Sequence, residues 1–182
     1  MSDYSIGFVP KTSNYPNAGT KALEILNWLV SRQIVDPKIS DCVLGGGGGY
    51  RLAEGSMAIL QEPEHFWTLS KLQIFGLEIV ESKTVFDTGE NGLDSVICPH
   101  CKKELFNGDY SFIDDWWSYD KSAVSCVVSM NNYDINEYLF QPEWGFSNLG
   151  FRFWNVPEFD PTFKTALETR LGYEVKIVYQ HL

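Results

Sequence analysis

Residues 96–105 read VICPHCKKEL, with Cys98 and Cys101 separated by two residues. That spacing suits a tight turn in which both sulfurs point to one side. Thiolates held this way can share a metal ion at ~2.3 Å while the N–H groups of the turn donate to them. The same spacing serves redox dithiols, but there the first thiol opens a helix whose N-terminus activates it. Here KKELFNGDY follows, a poor helix broken at Asn107-Gly108, which favours the metal reading. His100 lies inside the turn and is expected to point away from the sulfurs.

Two other stretches invite chemistry. Gly45–Gly49 runs into Tyr50-Arg51-Leu52. A Walker loop needs a Lys and a hydroxyl directly after its glycines, and the dinucleotide fingerprint needs a third glycine where Tyr50 stands. Neither requirement is met. The free N–H groups of Gly47, Gly48 and Gly49, with the charge of Arg51, could form a loose anion nest; a flexible surface loop is the competing reading. Asp114 and Asp115 precede Trp116 and Trp117, and Asp134, Glu137 and Glu143 lie among Tyr133, Tyr138, Phe140 and Trp144. Carboxylates interleaved with aromatics suit a cationic ligand or a basic protein patch. Acid–base work by paired carboxylates is a second use, and a solvated acidic face over an aromatic core a third. Neither HExxH nor GxSxG occurs, and His65, His100 and His181 are isolated.

Over residues 96–130 the chain resembles the zinc ribbons, whose first knuckle matches ICPHCKKE well. The resemblance implies a second CPxC some 15–30 residues on. There the chain reads SCVVSM, with 24 residues between Cys101 and Cys126, and Ser129 standing where the last cysteine belongs. The resemblance thus implies a degenerate ribbon with Cys98, Cys101 and Cys126 as three of four zinc ligands. Cys42, His65, His181 or Asp120 could complete the set only through the fold. A three-thiolate site with an open position would resemble catalytic zinc. The alternative is a lost metal, with Trp116, Trp117 and Tyr119 holding the subdomain by packing. More broadly, the chain is similar to a set of small bacterial proteins with a CPxC knuckle, a GYR glycine loop and an aromatic C-terminal half. Some of these carry transporter-ATPase labels, which the missing Walker motif does not support.

The chain has 182 residues, the length of one domain. Its hydrophobic content of 44% and its 15% of aromatics are enough to build a sizeable core. The net charge of −10, without a basic cluster beyond Lys102-Lys103, argues against nucleic acid or an anionic membrane as partner. It fits a basic protein partner. The first residues lack the basic and apolar regions of a signal peptide, and no apolar run reaches the ~18 residues of a membrane helix. A cytoplasmic location is expected, where cysteines serve as thiols or metal ligands.

These residues need a frame. Ser5–Val9 is a short β-like run. A helix is expected over Lys21–Val35, capped by Thr20, with Ala22, Ile25, Leu26, Leu29 and Val30 on one face. LEIVESKTVFD alternates as a strand or hairpin arm, and LGFRFWNV and YEVKIVYQHL read as strands. Between the last two, Asp160 or Thr162 caps a helix with Phe163, Ala166, Leu167 and Leu171 inward, closed by Gly172. The expectation is one α+β domain, a ferredoxin-like pair of βαβ units from residues 1–95 and 140–182, with a zinc-ribbon-like insertion at 96–139. The function expected is an acidic protein-interaction module, adaptor-like or immunity-like. The alternative is a metal-dependent enzyme or a small-ligand or anion-binding protein.

Overall fold

The computed structural model describes residues 3–118 and 122–182. In chain order, β1 (Tyr4–Pro10) leads to α1 (Ala18–Ser31) and then to the β2 (Val35–Ser40) and β3 (Gly49–Leu52) hairpin. The one-turn helix α2 (Phe66–Leu69) precedes β4 (Gly76–Val80) and β5 (Thr84–Phe86). Next come β6 (Ser95–Ile97), α3 (Ser111–Ser118), β7 (Ala123–Ser125) and β8 (Asn132–Asp134). The chain closes with β9 (Leu139–Gln141), β10 (Gly145–Ser147), β11 (Gly150–Trp154), α4 (Pro161–Leu171) and β12 (Val175–His181). The fold is α+β.

Six strands form one sheet in the order β12-β1-β11-β4-β3-β2, and every ladder in it is antiparallel. Ile6 and Phe8 of β1, Leu77 of β4 and Phe151 and Phe153 of β11 face α1 and α4 in the main core. Phe8 meets Phe153, Phe159 and Phe163 edge-on, and Trp28 of α1 stacks on Phe163 of α4. Such ring pairs add to what area burial alone contributes. No helix among the described residues is long and apolar enough to cross a membrane.

The expected caps of α4 are in place: Asp160 accepts the Thr162 N–H, and Gly172 takes the left-handed conformation at φ 71°. At α1 the boundaries differ from expectation. Asn17, at φ 53°, is the N-cap, which puts Thr20 inside the helix. The helix stops at Ser31 because Gln33 turns to φ 56°. The Gln33 and Ile34 N–H groups then close on the Val30 and Leu29 carbonyls, a Schellman ending built without glycine. Val35 onward is strand β2 instead of helix.

Chain leaves the sheet after β4 and returns at β11, so the inserted lobe runs from 81 to 149, wider than the expected 96–139. Its own core gathers Trp116, Tyr138, Phe140, Trp144 and Phe146 around the cysteines. LEIVESKTVF is two strands: β4 stays in the sheet, while β5 pairs with β10 in the lobe. The lobe covers the sheet face opposite the helices. Phe86 lies with Val9 and Val178 there, and a Cβ on Gly150 would come within 2.3 Å of its ring. With both faces covered, β1 is buried along nearly its whole length.

A buried charge ties lobe to sheet. Lys176 of β12, 8% exposed, binds Glu143 Oε1 at 2.6 Å and the Trp144 carbonyl at 3.2 Å. Burial draws its pKa below the ordinary lysine value, and Glu143 raises it part of the way back. Glu143→Gln leaves the ammonium with only neutral partners, the Trp144 carbonyl among them, and is expected to cost about 2 kcal/mol near neutral pH. Between the depressed folded value and the unfolded one, the unfolded chain holds a proton that the folded chain lacks, so stability from this group rises with pH. The deficit of the variant should therefore shrink as pH approaches about 10, as urea titrations at several pH values would show.

Candidate metal centre

Strand β6 delivers Cys98 into a five-residue turn. The Lys102 N–H donates to the Cys98 carbonyl at 3.1 Å, and the Cys98 N–H donates to the Lys103 carbonyl at 3.0 Å. Lys102 sits at φ 58°. Strand β7 delivers Cys126 into the same turn again. The Met130 N–H donates to the Cys126 carbonyl at 2.8 Å, the Cys126 N–H to the Asn131 carbonyl at 2.9 Å, and Met130 sits at φ 59°. Cys126 thus repeats Cys98 position for position, and Ser129 repeats Cys101.

The two turns face each other. The sulfurs of Cys98, Cys101 and Cys126 all lie within 4.8 Å of one another, close enough to hold a metal ion. Two thiolates at ~2.3 Å from a tetrahedral metal lie about 3.8 Å apart. The Cys101–Cys126 separation is 3.6 Å. Cys98 and Cys126 are fully buried, Cys101 partly so. The Ser129 N–H reaches the Cys126 sulfur at 3.4 Å, the backbone-to-sulfur contact expected of such a turn.

The sulfurs differ in proton affinity. The Ser129 side chain, then the Ser129 and Val128 N–H groups, draw the Cys126 thiol down to about 6 against the effect of burial. The Lys103 N–H lowers Cys101, but burial and the two neighbouring sulfurs outweigh it and raise that thiol. Ser129 Oγ is itself buried, beside the Cys126 sulfur.

The other expected ligands lie elsewhere. Cys42 is buried with Val43 and Trp154 beside Gly76 of the sheet. His65 pairs with Glu62 on the surface, and His181 lies at the end of β12 near Glu90. His100 points away from the sulfurs as expected, its ring stacked on Tyr133 at 4.1 Å and its Nε2 3.8 Å from Glu137. Asp120 and Tyr119 lie outside the described residues. Sequence reasoning missed the role of Tyr138. Its ring is buried in the core that holds the cysteines, and its hydroxyl donates to the Val124 carbonyl. Burial first, then the sulfurs of Cys98 and Cys126, hold its phenol protonated well above the usual range. One more aromatic among many gave no local signal of this.

Arg51 donates to the carbonyls of Ser70, Leu72 and Gln73, so its charge caps the end of α2 and the loop after it. Gly48, at φ 72°, forms the turn of the β2–β3 hairpin, and Gly49 is already paired with Ser40 in β3. Gly47 lies open in the turn, and Glu78, a carboxylate, stands against Gly45. The glycines form the turn of the hairpin, and the guanidinium of Arg51 is engaged by the three carbonyls.

The expected surface of Asp114, Asp115, Trp116 and Trp117 is corrected at one residue. The four lie on α3, and a helix sends neighbours in different directions. Asp114, Asp115 and Trp117 are exposed. Trp116 is 1% exposed, and its indole N–H donates to Ser13 Oγ at 3.0 Å. Beside α3 a cavity of about 710 Å³ opens between Phe106, Phe112, Val124, Tyr138 and Phe140, with Asp109 and Asp115 at its edge.

Charge is unevenly shared. Residues 81–149 hold twelve Asp and Glu and four Lys, a net of −8; the rest hold twelve acidic and ten basic residues, a net of −2. In comparisons with known proteins, no family model, no curated protein and no solved structure matches the chain.

Proposed function

We propose that the chain is a cytoplasmic, acidic protein-interaction module whose inserted lobe, held by zinc on Cys98, Cys101 and Cys126, docks a basic protein segment. One observation carries the reading: a lobe with well under half of the residues holds −8 of the net charge of −10. A patch of that sign attracts a basic partner and repels nucleic acid and anionic lipid. The cavity beside α3, lined by aromatic rings together with Asp109, Asp115 and neutral polar side chains, supplies a seat for a Lys or Arg whose stem packs on the rings. Exposed Trp117, on the same helix, supplies an aromatic anchor of the kind that dominates interface energies. A reducing compartment keeps three thiols available to a metal.

The sheet would then serve as the platform. Its frame reads as ferredoxin-like: the first strands of the two βαβ units, β1 and β11, lie centrally, flanked by β12 and β4. The β2–β3 hairpin extends the β4 edge, and the lobe connects β4 to β11.

The test is selection of random displayed peptides on the zinc-loaded full chain, followed by titration of the winners. Winners should carry Lys or Arg beside an aromatic or branched residue and should weaken with added salt. They should weaken further against the Asp109→Asn/Asp115→Asn double variant. Neutral or acidic winners, or binding indifferent to salt and to that variant, would overturn the reading.

A further inference from the structure

The two cysteine turns are copies of each other in backbone, and they differ in one ligand position. Each has the same pair of hydrogen bonds, from the fifth residue back to the first carbonyl and from the first N–H out to the sixth carbonyl. Each has its fifth residue at φ 58–59°. In the first turn the fourth residue is Cys101, whose sulfur joins the cluster. In the second it is Ser129. The equivalence therefore comes from backbone geometry, without reference to the side chain. The side chain agrees with the backbone: Ser129 Oγ is buried and lies next to the Cys126 sulfur. A hydroxyl at the position of a fourth ligand is a weak, neutral donor to a metal.

We infer that Ser129 holds the fourth coordination position of the zinc site as a neutral, displaceable ligand, and that an incoming small thiol takes its place. This rests on the zinc reading above. Three thiolates on Zn²⁺ leave a complex of charge −1, and a neutral hydroxyl does not change it. On exchange the thiol gives its proton to solvent, the zinc–oxygen bond breaks and a zinc–sulfur bond forms, taking the complex to −2. No oxidant or reductant is required. Cys101, partly exposed, marks the open side of the cluster. The flanking Val127, Val128 and Met130 are 74%, 54% and 80% exposed, so the second turn offers no apolar cover against entry. A closed site of four cysteines has no such exchangeable position. The serine makes the site an exchange point as well as a staple.

The experiment loads the full chain with Co²⁺, whose thiolate charge-transfer absorption counts sulfurs, and titrates it with 2-mercaptoethanol while checking that the metal is retained. The wild-type intensity should rise in the proportion of four thiolates to three. Ser129→Cys should start at the four-thiolate intensity, ignore the added thiol and bind metal about tenfold tighter or more. Ser129→Ala should keep the three-thiolate spectrum and accept the thiol at least as readily as wild type. Circular dichroism of each variant establishes that it is folded. Metal bound by all three proteins with the same spectrum and affinity would overturn the inference and leave the zinc reading standing. Metal bound by none of them would overturn the zinc reading, and the inference with it.

Discussion

With zinc on the three cysteines as proposed, replacing Cys98 with serine is expected to abolish metal binding and loosen the lobe from β6 to β8, while the six-stranded sheet keeps its structure. Cys98, like Cys126, is fully buried, and it follows directly on β6. Without it two sulfurs remain, too few for a structural site. Zinc in small thiolate sites contributes on the order of 10–16 kcal/mol of apparent binding free energy at neutral pH, and in a site formed only on folding that is folding energy. The aromatic core of the lobe supports β6 from one side, but the two turns and β7–β8 carry little packing of their own. Strands β6, β7 and β8 have three residues each, and the tip of the second turn buries almost nothing. The sheet stands on a separate core between β1, β4, β11 and the two long helices. Hydrogen exchange should therefore show lost protection at β6–β8 and unchanged protection at β1, β11 and β12, and a chelator should do the same to wild type. Unaltered zinc content and protection in Cys98→Ser would contradict this.

What the sequence disclosed follows the range of the interactions involved. The CPHC turn closes on itself within six residues, so residue types and spacing are sufficient to recognise it. Ser129 could be placed by the same local logic, since its turn is a copy. Helix α4 was legible because its caps, Asp160 and Gly172, are the residue types those positions favour. The ends of α1 were hidden because Asn17 and Gln33 adopt positive φ without being glycine. Strand β2 was hidden because it is an edge strand with only Val35 fully buried, which leaves no alternation to read. Its proline is tolerated there because an edge N–H has no ladder partner to lose. Arg51 beside five glycines suggested an anion site. Its three carbonyl partners lie 19 to 22 residues away, beyond the reach of motif spacing.

The tryptophan pair of α3 separates stability from docking, and Trp116→Ala is expected to cost about 3–5 kcal/mol. Trp116 is 1% exposed, packs edge-on against Phe146 at 5.4 Å and lies beneath the Lys83 ammonium, 4.6 Å from its ring. Its indole N–H reaches Ser13, 103 residues away in the loop after β1, where Asn136 also donates. Truncation would leave a cavity the size of a bicyclic ring in the lobe core and remove the bond between lobe and loop. Neighbouring rings can refill such a space only in part. Trp117, 56% exposed, should change stability by no more than about 0.5 kcal/mol when truncated. Urea unfolding of the two variants, followed by far-UV circular dichroism, measures the difference. Equal losses would mean that the helix presents its faces otherwise than described. If the lobe docks a basic segment, Trp117→Ala should weaken binding of the selected peptides without touching the unfolding midpoint. Trp116→Ala would weaken binding only by unfolding the lobe that presents the acidic edge.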